Sequence, residues 1–270
     1  MTDIHPSAVI HEGATIGEDC VIGPYAVIGP KVMLGNGNRV CSHVVIEGNT
    51  IIGNGNIFFQ FASVGAQPQD LKYRGEDSLL QIGDNNIVRE YVTLQPGTRG
   101  GGMRTVIGNE NLFMACSHLG HDGIVGNHNV IANSAALAGH VTVGDWVTIG
   151  GLAGIHQFVR IGDQALIAAG AMVAQDIPPF CMVQGDRAEL VGINQIGLER
   201  RGFSVDDVKR VRSLFRKLFL KSGTLREKLE AARKEFAGLA AAEALIGFCE
   251  TSERGLVHPR NRRRDSQENN

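Results

Sequence analysis

Five of the nine histidines, His118, His121, His128, His140 and His156, fall within residues 118–156. The densest run is Ser117-His118-Leu119-Gly120-His121-Asp122. An imidazole titrates near neutrality, so it can take a proton in one step and return it in the next. His121 is the natural general base of this run, and Asp122 beside it can orient the ring or support its cationic form. A single histidine here would read as a surface turn residue. A recurring cluster in a background of Ile, Val, Gly and Asn points instead to a site. Gly139, just before His140, offers a backbone N–H to a developing oxyanion. No Ser-His-Asp or Cys-His nucleophile arrangement is evident, and Cys116 reads as a packing residue. Three histidines holding zinc is the rival chemistry.

Something must bring these residues together, and the spacing of the apolar residues says what. From Ile4 to Val64, from Ile82 to Leu94 and from Ile107 to Val173, every sixth residue is Ile, Leu, Val or Phe. A period of six does not keep residues on one side of a helix of about 3.6 residues per turn. It suits one short strand and one turn per hexad, three hexads closing a triangular coil, and coils stacked on a continuous aliphatic column. The glycine that often follows the aliphatic residue, as in Ile16-Gly17, Ile52-Gly53 and Ile161-Gly162, is expected to take turn angles that a Cβ would obstruct. With about eighteen residues per coil, His121 and His140 should be neighbours in successive coils. The chain is therefore expected to be mainly β, a parallel β-helix over residues 1–185. Loop insertions are expected at about 65–81 and 95–106. The first carries Gln69, Asp70, Lys72, Tyr73 and Arg74, a polar and ligand-like group.

Beyond Pro178-Pro179 the period ends and helices are expected over 186–257. Ser204 caps one helix, with the apolar stripe Val205, Val208, Val211, Leu214, Phe215, Leu218 and Phe219. Thr224 to Glu227 forms a capping box for the next, and a third covers about 238–249. Residues 258–270 read as a disordered tail.

Composition narrows the setting. Hydrophobic residues make up 43% of the chain and aromatic ones only 6%, so the core must be aliphatic. Five scattered cysteines, none in a CxxC, argue against a disulfide framework. The N-terminus has no basic, apolar leader, and no run approaches the ~18 apolar residues of a membrane span. A cytoplasmic protein without a membrane span is expected. Charge is segregated: residues 1–186 carry 8 Lys/Arg against 16 Asp/Glu, and residues 187–234 carry 13 against 6. The basic block suits either a solvated helix face or a landing surface for an acidic partner. Nucleic acid is disfavoured, because the block lacks interleaved aromatics and a recognised motif.

The runs QFASVGAQPQDLKYRGE, SHLGHDGIVGNHNVIANSAALAGHVTVGD, IGGLAGIHQF, VAQDIPP and GLERRGFS resemble the UDP-N-acetylglucosamine O-acyltransferase family of lipid A synthesis, and the likeness extends to about residue 257. The resemblance implies a left-handed parallel β-helix, an exception to the right-handed crossover rule, followed by a C-terminal α-helical domain. It implies a homotrimer that transfers a 3-hydroxyacyl chain from acyl carrier protein to the 3-hydroxyl of UDP-N-acetylglucosamine. It further implies no metal, no acyl-enzyme and no cofactor, the phosphopantetheine arriving on the donor. By the same resemblance His121 is the base, Asp122 its orienting partner and Gly139 the oxyanion contact. His118, His140, His156 and Gln157 match further active-site positions. Gln69, Asp70 and Lys72 match substrate contacts on the first insertion, and Asn194, Arg200 and Arg201 match contacts beyond the coil. Ala169 aligns with a glycine of the acyl-length ruler, which implies an acyl chain no longer than a glycine-bearing relative accepts. The basic 187–234 region becomes the docking surface for acidic carrier protein. Two positions depart from the pattern: Ile196 stands where the family has glutamate, and Arg187 where it has histidine.

Overall fold

The computed structural model describes residues 1–259 and shows a left-handed parallel β-helix with a short helical segment behind it. Each hexad forms a strand of mostly two residues, as in Val21–Ile22, Val27–Ile28 and Thr148–Ile149. The strands stack into three sheets of 11, 9 and 8 strands, which begin in chain order with Asp3–Ile4, Val9–Ile10 and Thr15–Ile16. Pairing is parallel and in register, so that Leu119 lies over Leu137 and Leu137 over Ile155. The period-six residues from Ile22 to Val173 are at most 3% exposed. Ile4 is 42% exposed, and Ile10 and Ile16 are only half-buried, because the first coil has a neighbour on one side alone.

The corners differ from expectation. The left-handed turn conformation falls mostly on non-glycine residues, among them Asp19, Tyr25, Asp122, His140 and Phe158. Apart from Gly65, at φ 80°, the glycines after the aliphatic residue have ordinary backbone angles and serve close stacking instead. A Cβ on Gly35 would stand 2.6 Å from the Gly53 carbonyl oxygen, and one on Gly83 2.7 Å from that of Gly108.

Where the third sheet turns into the first, buried asparagines form a ladder. The Oδ1 atoms of Asn38, Asn56, Asn86, Asn111 and Asn129 each accept a backbone N–H from the coil above, at 2.7–2.9 Å. Both insertions leave at another corner, where the second sheet turns into the third: the first between Ser63–Val64 and Leu79–Ile82, the second between Thr93–Leu94 and Arg104–Ile107.

The sheet runs past residue 185. Cys181–Gln184 pairs antiparallel with Glu189–Ile193, and only then does the chain turn helical. Four helices follow, α1 (Gln195–Arg200), α2 (Val205–Phe215), α3 (Leu225–Glu235) and α4 (Ala240–Glu250), with a π-helical turn at Arg216–Leu220 after α2. Ser204 and the Thr224–Glu227 capping box start α2 and α3. Residues 251–259 return to the coil as a strap. Asp176, fully buried, takes the Ser252 hydroxyl at 2.8 Å and the Arg160 N–H at 2.8 Å, and its own N–H reaches Gly255. The start of the expected tail is ordered: Leu190 N–H donates to His258 O at 2.8 Å and Leu190 bridges Pro259. The rest of that tail lies outside the described residues. No helix among the described residues is long and apolar enough to cross a membrane.

Candidate active site

The corner that releases both insertions also carries the histidines. Successive coils place His121-Asp122, then Gly139-His140, then Gln157-Phe158 one above another. His140 N–H donates to His121 O at 2.9 Å, and Phe158 N–H to Gly139 O at 3.3 Å. Asp122, His140 and Phe158 hold the positive φ that turns the chain toward the third sheet, at 58°, 62° and 66°. Beside this corner lies a cleft of about 750 Å³, floored by the second sheet and closed at its far end by the 185–188 turn and Val257 of the strap.

Asp122 is buried and held from three directions. Thr98 of the second insertion donates its N–H to Oδ1 at 2.9 Å and its hydroxyl to Oδ2 at 2.6 Å. His121 Nδ1 meets Oδ2 at 2.8 Å. A carboxylate with its oxygens engaged in this way accepts from Nδ1, which leaves the lone pair on Nε2. That nitrogen sits over Gly139, where an added Cβ would come within 2.6 Å of it. The Gly139 N–H is buried and finds no acceptor among the described residues. His121 and Gly139 both line the cleft, so a base and a backbone donor border one space, which suits deprotonation of a nucleophile beside a developing oxyanion.

The flanking imidazoles are kept neutral. His140 packs edge-on to His121, with centroids 5.0 Å apart, and stacks on Phe158 at 4.3 Å. Burial lowers its pKa, opposed by the charge of Asp122, and His121 lowers it further. His118 meets the Thr93 hydroxyl through Nδ1 at 2.6 Å, and burial, then His121, lowers its pKa as well. His156 and Gln157 line the cleft, and His156 Nδ1 lies 2.7 Å from the Arg254 guanidinium of the strap. Gln69 reaches the cleft from the first insertion, its N–H donating to Gln95 Oε1 at 3.1 Å. Asp70 and Lys72 lie between the two insertions with Thr98 and Arg99, and the Asp70 charge acts on His140.

Other expected site residues lie off the cleft of this chain. Asn194 is buried as the cap of α1, accepting from Gly197 N–H at 3.2 Å and donating to Gln164 O at 2.9 Å. Arg201 donates to Trp146 O at 2.9 Å and covers the indole at 5.3 Å, and its pKa is lowered by burial. Arg200 is exposed, and Ala169 is exposed on the corner between the first and second sheets. Cys116 lies on that same corner, exposed, so it is not the packing residue expected. Arg187 lines the cleft, whereas Ile196 is 64% exposed on α1.

Thr93, Thr98, Gly101 and Arg254 were not legible as site residues. A Cβ on Gly101 would stand 2.0 Å from the Asp122 carboxyl carbon, so the second insertion seals the carboxylate only because it is glycine there. The Gly100-Gly101-Gly102 run was the one available signal. Ligand atoms of His121, Asp122 and His140 lie within 4.8 Å of one another, a cluster of two histidines and a carboxylate in place of three histidines. A metal there would have to displace the hydrogen bonds that Asp122 already accepts.

Two family profiles match the chain: "Udp N-acetylglucosamine O-acyltransferase; Domain 2" over residues 176–257 and "Bacterial transferase hexapeptide (six repeats)" over residues 4–30. The acyl-[acyl-carrier-protein]–UDP-N-acetylglucosamine O-acyltransferase of Myxococcus xanthus is 54% identical over 210 residues, 78% of this chain and 81% of that protein. Among solved structures, LpxA from Acinetobacter baumannii superposes with a TM-score of 0.92 at 42% identity, covering 94% of this chain and 99% of that one. LpxA, a UDP-N-acetylglucosamine acyltransferase from Bacteroides fragilis, does so with a TM-score of 0.92 at 37% identity, covering 94% and 100%.

Proposed function

Since the chain belongs to the UDP-N-acetylglucosamine O-acyltransferase family and is an acyltransferase, we propose that it moves a 3-hydroxyacyl group from acyl carrier protein to the 3-hydroxyl of UDP-N-acetylglucosamine, the first step of lipid A synthesis. The observation that carries this reading is the Asp122–His121 pair packed on Gly139, whose N–H has no acceptor among the described residues, at the wall of the cleft. His121 takes the proton of the sugar hydroxyl as its oxygen attacks the thioester carbon. The carbonyl oxygen, gaining charge, meets the Gly139 N–H. The C–S bond then breaks, and the thiolate of the donor leaves with the proton held by His121. No acyl-enzyme forms, and the donor's phosphopantetheine is the only prosthetic group required.

Gln69, Asp70 and Lys72 hold the sugar nucleotide from the first insertion, with His118, His140, His156 and Gln157 along the cleft wall. Burial, which lowers the pKa values of His118 and His140, suits this role, because an uncharged ring can both donate and accept a hydrogen bond. Asn194, Arg200, Arg201 and Ala169 stand off the cleft in one chain. A homotrimer that seats one copy's helical segment against the next copy's cleft would bring them to the substrate. The excess of Lys and Arg over 187–234 then suits docking of an acidic carrier protein, in the cytoplasm.

The test is a transfer assay with purified chain, UDP-N-acetylglucosamine and 3-hydroxyacyl carrier proteins, with and without chelator. Product that forms despite chelator and is lost in His121→Ala is the expected result. Activity that follows added zinc would replace the base mechanism with a metal one, and product from no donor would sink the assignment of substrates.

A further inference from the structure

Along the cleft floor, the outward-facing residues of the second sheet follow one another coil by coil. Thr93, His118, Ala136, Gly154 and Met172 are in register, each paired with the next. Side-chain height along this line falls from an imidazole to a methyl group and then to nothing, before rising again at Met172. All four residues from His118 onward line the cleft, with Ile155 and Val173 beneath them. At roughly 4.8 Å between strands, the trough from His118 to Met172 is about 14 Å long. It starts beside the base and runs away from it, an apolar channel of the shape an extended hydrocarbon fills.

Met172 does not stand clear of this trough. A Cβ built on Gly154 would lie 2.8 Å from Met172 Sδ and 3.7 Å from its Cε. The thioether is therefore folded back over Gly154, in the space that a small residue at 172 would leave open. Beyond it the 185–188 turn closes the channel: Met172 N–H donates to Gly185 O at 3.0 Å, and Ala188 N–H to Met172 O at 2.9 Å. The backbone at 172 is fixed on both sides, and only the side chain decides how much of the trough is usable.

We propose that Met172 is a specificity-determining residue that ends the acyl trough, making the enzyme selective for donors shorter than those a small residue at 172 would admit. The inference rests on the acyl transfer proposed above. It differs from the ruler at Ala169, which is exposed on another corner and would reach an acyl chain only across a subunit boundary. Met172 acts within one chain. Each methylene that an apolar pocket gains or refuses changes kcat/KM by about 10–200-fold, so one thioether suffices to move a length preference.

The experiment is to measure kcat/KM for a ladder of 3-hydroxyacyl carrier proteins lengthened two carbons at a time. Wild type, Met172→Ala, Met172→Leu and Ala169→Gly are compared. Alanine at 172 repeats what the fold already carries at Ala136, so the strand should keep its pairing, and thermal melts of each variant check this. The expected result is that Met172→Ala raises the long-to-short ratio at least ~10-fold, with Met172→Leu close to wild type. An unchanged ratio in an active Met172→Ala enzyme overturns the proposal, and a shift seen only in Ala169→Gly moves the ruler to the subunit boundary. Failure of wild type to use any donor overturns the acyl-transfer reading itself, and this inference with it.

Discussion

Two corners of the same coil carry polar residues in stacked columns, and only one of them holds the residues proposed for catalysis. At the corner between the third and first sheets, the asparagine side chains are spent on backbone groups of the coil above, each Oδ1 accepting an N–H at 2.7–2.9 Å. At the corner between the second and third sheets, Asp122 is as fully engaged, but by Thr98 from an insertion and by His121, whose other nitrogen stays free. The repeat by itself builds a ladder of side chains bonded to backbone at the first of these corners. The corner proposed for catalysis draws on atoms from outside the repeat, which saturate the carboxylate while the Gly139 N–H has no acceptor among the described residues.

The comparison breaks most visibly at His121. His121→Ala should lower kcat by ~10²–10⁴-fold, a larger loss than any other substitution at either corner. Next is Thr98→Val, which removes the hydroxyl bond to Asp122. A hydrogen bond to a charged group is worth roughly 1.5–3 kcal/mol, so kcat should fall ~10–100-fold. If stability fell while kcat held, Asp122 would be a ladder residue like the asparagines. The converse test is Asn111→Ala, which orphans the buried N–H of Asn129. Urea denaturation should register a loss of ~1–3 kcal/mol with kcat for folded protein unchanged. A kcat loss as large as that of Thr98→Val would show that the two corners are coupled.

The smallest effect is on pH dependence. Burial lowers the pKa values of His118 and His140 below 6.5 in the folded chain. Between the folded values and 6.5 the unfolded chain binds more protons, so stability is full above about 6.5 and falls as the pH drops through the folded values. Urea midpoints measured on either side of 6.5 should diverge in the wild type. They should converge in His118→Gln/His140→Gln. A slope that survives both substitutions would assign the titration elsewhere.

The proximity of the histidines was legible in the sequence, since the coil converts sequence spacing into spatial neighbourhood. The step from His121 to His140 is nearly one coil, and the two rings do meet edge-on at 5.0 Å. Ser204 and Thr224 announced their helices because a cap is a local hydrogen bond. Thr98 and Gly101 gave no such notice, for a loop outside the repeat has no register to read. Arg254 was hidden for a similar reason: it reaches His156 from 98 residues away, through a strap tied down by Asp176. The glycine column misled, because the period shows where glycine recurs but not whether it serves torsion or proximity. Cys116 misled because it stands on a corner turn that no insertion covers, which leaves its side chain exposed.

By itself the sequence determined the architecture, since a period of six admits one arrangement of short strands and corners, and it placed the histidines on neighbouring turns of that arrangement. Only the tertiary structure decided which polar corner gathers an imidazole and an unpaired N–H beside a cleft, how the insertions close over Asp122 and where the 185–188 turn closes the cleft. Those outcomes depend on contacts between segments far apart in the chain. Such contacts are fixed by the packing of side chains that share no local period.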